Sequence, residues 1–199
     1  MLMSESKPLL RAEMKKRRTA LAAANPIAGE SVATHAVAAL DAAGWPVKPA
    51  IVAGYWPIQS EISPFPVMEA FADRGYALAL PCLVREGDSF RMIFRRFRIG
   101  DRLISGPFDI LQPDEGLEEV APDIVLMPLL AFTTDGQRLG YGGGYYDRAV
   151  ADLRGRKTIA AIGIAFSAQQ LAEIPFEVHD QPLDGIYTDQ GVIEARPHI

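Results

Sequence analysis

Cysteine is almost missing from this sequence: Cys82 stands alone among 199 residues, so the chain can close no disulfide on itself. Histidine is scarce too, and His35, His179 and His198 share no spacing that would build a zinc site or a catalytic triad. They read as helix, turn and tail residues respectively. Within "LALPCLV", Cys82 reads as a buried thiol at a strand end rather than a nucleophile. No apolar run reaches the roughly 18 residues of a membrane span, and the opening "MLMSESKPLL" lacks a cationic flank followed by an apolar centre. A basic excess is lacking as well: the formal net charge is -5, and phosphate neutralisation along a nucleic acid needs surplus cations. These absences set the expectation of a reducing cytoplasm, with neither nucleic acid nor membrane as partner; a monomer is expected.

What the chain does have is enough to fold. With 49% hydrophobic and 23% charged residues it can bury one core, and no linker, internal repeat or low-complexity tract divides residues 1–199. Ser6, Lys7 and Pro8 read as a helix start, with the helix running to about Ala24. On it Leu10, Met14 and Leu21 form a packing stripe, while Lys7, Arg11, Lys15 and Arg18 form a basic one that meets water or an anion. Asn25 and Pro26 restart a helix through "HAVAALDAAG", and "AIVAGYW" follows as a short strand. A helix from Ser63 and Pro64 to Arg74, stopped by Gly75, leads to the strand "YALALP", which makes a βαβ unit with a parallel pair.

Beyond it, "SFRMIFRRFRI" carries Arg91, Arg95, Arg96 and Arg98, which line either a solvated strand face or a phosphate patch. "GPFDILQPDEG" has the composition of a loop. "DIVLMPLLAF" is a continuous apolar run suited to a central strand covered on both faces, "YYDRAVADLRG" is helical, and "TIAAIGIAF" is another buried strand. The segment from Ile174 to Ala195 alternates turns with short strands.

Between the central strand and the helix lies "RLGYGGGYYDR", with glycines at 140, 142, 143 and 144. Such a run lets consecutive amides surround one object, often a phosphate at a helix N-terminus. A dinucleotide fingerprint would need glycine where Tyr145 stands, and no G-K-[ST] follows, so neither standard phosphate loop is present. A plain strand-to-helix turn with packed tyrosines remains the competing reading. Arg138 and Arg148 can flank the loop with positive charge and Asp147 can hold a hard cation, which together suit a Mg-nucleotide.

The longer stretch "PLLAFTTDGQRLGYGGGYYDR", Pro128 to Arg148, closely resembles the signature of the 5-formyltetrahydrofolate cyclo-ligase family, also called methenyltetrahydrofolate synthetases. "KPLLR", "YWPIQSEI" and "HDQPLD" resemble further segments of that family. The resemblance implies an α/β fold, a three-layer α/β/α sandwich around a mostly parallel, Rossmann-like sheet. It implies ATP- and Mg²⁺-dependent conversion of 5-formyltetrahydrofolate to 5,10-methenyltetrahydrofolate, with ADP and phosphate released. In that reaction the formyl oxygen takes the γ-phosphoryl group, N10 closes on the activated carbon, and phosphate leaves.

Carried over motif by motif, the resemblance places ATP at Lys7, Pro8, Leu9, Leu10 and Arg11, and at Arg138, Leu139, Gly140, Tyr141, Gly142, Gly143, Gly144, Tyr145 and Tyr146. Trp56 and Glu61 fall where the family binds folate, bordered by Tyr141 to Tyr145: an aromatic can pack on the pterin and a carboxylate can accept from its amino-pyrimidinone edge. Arg138, Tyr145 and Asp147 are expected to carry catalysis, and Asp147 with Asp184 to hold the metal; Asp180 is the other acidic candidate, and either aspartate can instead be a turn residue. Lys15 and Arg18 gain nothing from the resemblance and read as a solvated face. The family often has aspartate where this chain has Thr133, and some members have lysine at Gly143; Arg138, Arg148 and the segment from Lys7 to Arg11 then carry more of the charge. A folate- or nucleotide-binding relative without activity, or a sugar-phosphate or acyl-transfer enzyme on a similar frame, are the alternatives.

Overall fold

The computed structural model describes residues 6–43 and 50–195. Helix α1 (Ser6–Ala24) spans the residues expected of it. Helix α2 (Ala28–Ala43) follows after a tight turn, strand β1 (Ile51–Ala53) comes next, and helix α3 (Phe65–Asp73) leads to strand β2 (Ala77–Glu86). The chain continues as β3 (Ser89–Phe97), β4 (Leu103–Ser105), β5 (Leu111–Pro113), β6 (Ile124–Pro128), β7 (Ala131–Phe132) and β8 (Arg138–Leu139). Helix α4 (Tyr145–Arg156), β9 (Ala160–Ala165), β10 (Gly185–Thr188) and β11 (Gly191–Glu194) complete it. His198 and Gly44 lie outside the described residues.

Seven strands form one sheet in the order β11-β10-β9-β6-β1-β2-β3. The five central strands are parallel, and β3 and β11 add antiparallel edges. The expected βαβ unit is present, with β1 pairing β2 in parallel across α3. Strand β6 explains why "IVLM" is apolar at every position. Ile124 and Leu126 pack with α2 and α3 against one face, through Val32, Ala36, Met68 and Phe71. Val125 and Met127 pack on the other face with Ala149, Val150 and Leu153 of α4. Period-two alternation between two covered faces requires a hydrophobic side chain at each step, and each such burial contributes about 1.5–3 kcal/mol. The helices thus cover both faces of the sheet, in the three-layer arrangement the resemblance implied. Helix α1 packs Met14 against Leu130, Leu139 and Ile174, and Leu21 and Ala22 against the cluster of α2 and α3.

Three local readings change. The run "DIVLMPLLAF" is not one strand: it leaves the sheet after Pro128 and restarts as the β7–β8 hairpin. Side chains make the break possible by satisfying the freed carbonyls, since Gln169 Nε2 donates to Leu129 O at 3.1 Å and Leu130 O at 2.9 Å. Second, the segment read as a loop forms the tip and second strand of the β4–β5 ribbon, with Phe108 and Asp109 at the tip at φ of 61° and 57°. Third, the β3 arginines do face outward, but Arg95 donates to the carbonyls of Glu115 and Leu117, and Arg96 Nε lies 2.8 Å from Glu118 Oε2. These two cations are already engaged, which favours the solvated-face reading over a phosphate patch.

Cys82 lies in the middle of β2 rather than at its end, 1% exposed, and burial pushes its thiol up to about 12. A maleimide at about pH 8 is therefore expected to leave native Cys82 unmodified and to label it fully in denaturant. Rapid labelling of the native protein contradicts this burial.

Candidate functional site

A cavity of about 470 Å³ opens beside the carboxyl ends of β1 and β6. This is where the sheet's strand order reverses: β1 is followed outward by β2 on one side, and β6 by β9 and β10 on the other. Connections diverge at such a point and leave a crevice, the usual ligand position in an open parallel sheet. Tyr55, Trp56 and Glu61 enter the cavity wall from the segment after β1, and Arg138 to Asp147 enter from β8, the glycine loop and the first turn of α4.

The glycine loop has the backbone that an anion site needs. Gly142 (φ 98°) and Gly144 (φ 65°) occupy left-handed conformations, and a Cβ on Gly142 would lie 3.2 Å from the Arg11 guanidinium carbon. At Gly143 a Cβ would stand 2.9 Å from the Tyr145 ring. Among the described residues, the amides of Gly140 to Asp147 donate to no backbone or side-chain acceptor. They adjoin the N-terminus of α4, whose dipole also favours negative charge.

Cations surround this loop. Arg138 Nη2 donates to Asp147 Oδ1 at 2.7 Å, and Arg138 Nε is buried with no partner among the described residues. Asp147 Oδ1 also accepts from the Gln181 amide at 3.0 Å. Arg11 Nε donates to Gly140 O at 3.0 Å. Lys7 is buried against Glu177 (2.9 Å) and Asp180 (3.0 Å); burial lowers its pKa, and the two carboxylates more than offset this, leaving it raised. Arg148 turns away from the cavity, over the Tyr145 ring and onto Gly143 O at 3.2 Å.

Elsewhere in the lining, Trp56 packs edge-on against Phe65. Glu61, whose side chain is 3% exposed, accepts from the Ile58 amide at 2.9 Å. Burial raises the Glu61 pKa, opposed by that amide, by Arg18 and by the Tyr141 hydroxyl. Arg18 does not lie on a solvated face: it is 1% exposed, with Nη1 3.7 Å from Glu61 Oε1 and Nη2 donating to Tyr141 Oη. Lys15 does lie on the exposed side of α1.

With Lys7, Arg11, Trp56, Glu61 and the whole run from Arg138 to Asp147 in one wall, the comparison with known proteins is decisive: residues 3–189 match the model of the 5-formyltetrahydrofolate cyclo-ligase family. The chain belongs to this family. A 5-formyltetrahydrofolate cyclo-ligase of Escherichia coli strain K12 is 30% identical over 147 residues, covering 72% of this chain and 80% of that one. The Haemophilus influenzae cyclo-ligase is 28% identical over 185 residues, covering 90% and 96%. The solution structure of the Aquifex aeolicus 5,10-methenyltetrahydrofolate synthetase superposes with a TM-score of 0.72 at 28% identity, covering 100% of this chain and 95% of that one.

Within this cyclo-ligase fold, not every expected residue reaches the cavity. Pro8 and Leu9 are exposed, and Leu10 packs on the Met14 cluster. Asp184 is not in the wall; its Oδ2 accepts from Arg154 Nη2 at 2.7 Å and from the Ala161 amide at 2.7 Å. Asp180 is in the wall, paired with Lys7. His35 Nδ1 lies 3.0 Å from Thr188 O, away from the cavity, whereas the exposed His179 sits at its rim. Thr133 stabilises the β7–β8 turn: its hydroxyl donates to Asp135 and accepts from the Gln137 amide at 3.1 Å. The turn therefore has its own support without an aspartate at 133. Arg18 and Gln169 are the two residues that sequence reasoning missed. A signal existed for Arg18, because Met14 and Arg18 are four apart and so share a helix face, which the division into two stripes separated.

Proposed function

We propose that the chain catalyses ATP- and Mg²⁺-dependent conversion of 5-formyltetrahydrofolate to 5,10-methenyltetrahydrofolate, releasing ADP and phosphate. The observation that carries the reading is the cavity wall itself, where unpaired loop amides and two arginines line the same cavity as a buried carboxylate and an indole, in a member of this family. The two sides suit two different ligands. The amides of the glycine loop, Arg11 and the free Nε of Arg138 suit phosphate oxygens; Glu61 suits the donor edge of a pterin, with Trp56 beside its ring. The donor set also suits Mg²⁺, which is commonly held by one or two carboxylates together with phosphates and water. Among the described residues no group of three or more His, Cys, Asp or Glu forms a cage, and Asp147 keeps one oxygen clear of Arg138.

A formyl group on N5 is amide-like and resists attack until its oxygen becomes a leaving group. Transfer of the γ-phosphoryl group to that oxygen achieves this; N10 then attacks the carbon, the N10 proton is lost, and phosphate leaves with the C–O bond. The chain's contribution is positioning and charge neutralisation, the usual division in phosphoryl transfer. Arg138 and the loop amides stabilise charge on the transferring group, and Asp147 orients Arg138 and holds the cation. Tyr145, at the start of α4, borders both ligands.

Mixing the protein with 5-formyltetrahydrofolate, ATP and Mg²⁺ is expected to generate the methenyl chromophore with one ADP per turnover. Folate binding without product assigns the chain to a binding role instead. No folate binding at all points to another reaction on the same frame.

A further inference from the structure

We propose that Arg18 is a positioning residue for folate recognition, holding Glu61 and the Tyr141 hydroxyl in one buried network. The proposal rests on the folate reading above and adds to it a residue that makes no substrate contact of its own. Arg18 is among the largest fully buried side chains of the described residues, and it reaches three segments far apart in sequence. Its Nε donates to Ser60 Oγ at 3.1 Å, its Nη1 to Leu129 O at 3.2 Å, and its Nη2 to Tyr141 Oη, while the guanidinium carbon stands 5.4 Å from the centre of the Tyr141 ring. Glu61 Oε1 lies 3.7 Å from Nη1. Ser60 adjoins Glu61, Leu129 follows β6, and Tyr141 belongs to the glycine loop. One planar fork therefore ties the carboxylate on the folate side to the loop on the nucleotide side.

A buried guanidinium carries a large desolvation penalty, so a purely structural tie would be served as well by apolar packing. What apolar packing cannot do is keep Glu61 ionised. The groups facing Glu61 are Arg18 from α1, Tyr141 from the loop, Tyr55 from the segment after β1, and Tyr146 from α4. Among these, Arg18 is the cation. Only the ionised carboxylate is acceptor on both oxygens, as the pterin edge requires. Without Arg18 the desolvated carboxyl is opposed only by the Ile58 amide and Tyr141, so its pKa climbs further and folate binding weakens as pH falls.

The test uses the full assay with R18M, R18K, E61Q and the double variant E61Q/R18M, reading KM for 5-formyltetrahydrofolate and for ATP between about pH 6 and 8. R18M is expected to raise the folate KM about tenfold at neutral pH and more at the acid end, with the ATP KM within about threefold of wild type. In the E61Q background the same change is expected to move the folate KM by less than about twofold, with no slope against pH. R18K, which keeps charge without the fork, falls between wild type and R18M, and it carries the same cycle should R18M fail to fold. An equal factor from R18M in both backgrounds, or a flat pH profile, overturns the proposal in favour of a structural role. Wild-type turnover with an unchanged R18M folate KM overturns it alone. Wild-type protein that forms no methenyl product overturns the functional reading as well.

Discussion

Asp147→Asn is expected to lower kcat by about 10²- to 10³-fold while leaving the thermal midpoint within a few degrees of wild type. Asparagine keeps the shape of the side chain and one oxygen to accept from Arg138 Nη2 and the Gln181 amide, so the contacts that fix the start of α4 survive. What disappears is the negative charge. That charge is assigned two tasks, orienting Arg138 and binding Mg²⁺, and the metal dependence separates them. Loss of a metal contact raises the Mg²⁺ concentration needed for half-maximal rate, and high Mg²⁺ then recovers part of kcat. A purely orienting role predicts a smaller fall, under about tenfold, with an unchanged Mg²⁺ requirement. Near-normal turnover at limiting Mg²⁺ rejects the metal role.

Glu61→Ala is expected to raise the folate KM by about 10²-fold while the ATP KM changes by less than about threefold, because a charged acceptor facing paired donors contributes about 1.5–3 kcal/mol. The truncation also removes the counter-charge of Arg18, and a stranded buried cation costs about 3–5 kcal/mol of stability. Glu61→Gln should be measured beside it, since the amide fills the space and can still accept from the Ile58 amide. Equal loss of both ligands in either variant points to a folding defect. pH gives an independent check. Burial raises the Glu61 pKa in the folded chain, so the ionised group costs stability above that value, and the cost shrinks as pH falls through it and is gone below the ordinary carboxyl value. Folate binding, which needs the ionised form, moves the other way. Mild acid is therefore expected to weaken folate binding before it weakens the fold.

Much of this was legible in the sequence because the governing interactions are local. Proline positions and the stop glycine marked α1 and α3, and the continuous apolar runs marked β6 and β9. The backbone freedom used by the glycine loop was legible too, and Gly142 and Gly144 do take positive φ. What could not be read depends on partners far along the chain. The break after Pro128 is possible only because Gln169 and Arg18 supply donors from 39 to 111 residues away. Arg18 itself looked like one more cation on a basic helix; its burial follows from the loop and the Glu61 segment closing over it. Asp184 sits in the acidic segment of the motif, yet Arg154 on α4 and the Ala161 amide claim its Oδ2.

The pairing of Lys7 with Glu177 and Asp180 has a consequence for assembly. These contacts join residues 170 and 173 positions apart, among the costliest loops the chain can close. During synthesis α1 precedes these acidic partners by 170 and 173 residues. The sheet between β1 and β9 can form in that interval, but this part of the cavity wall cannot. This corner of the cavity is thus closed only once the segment after β9 has been made.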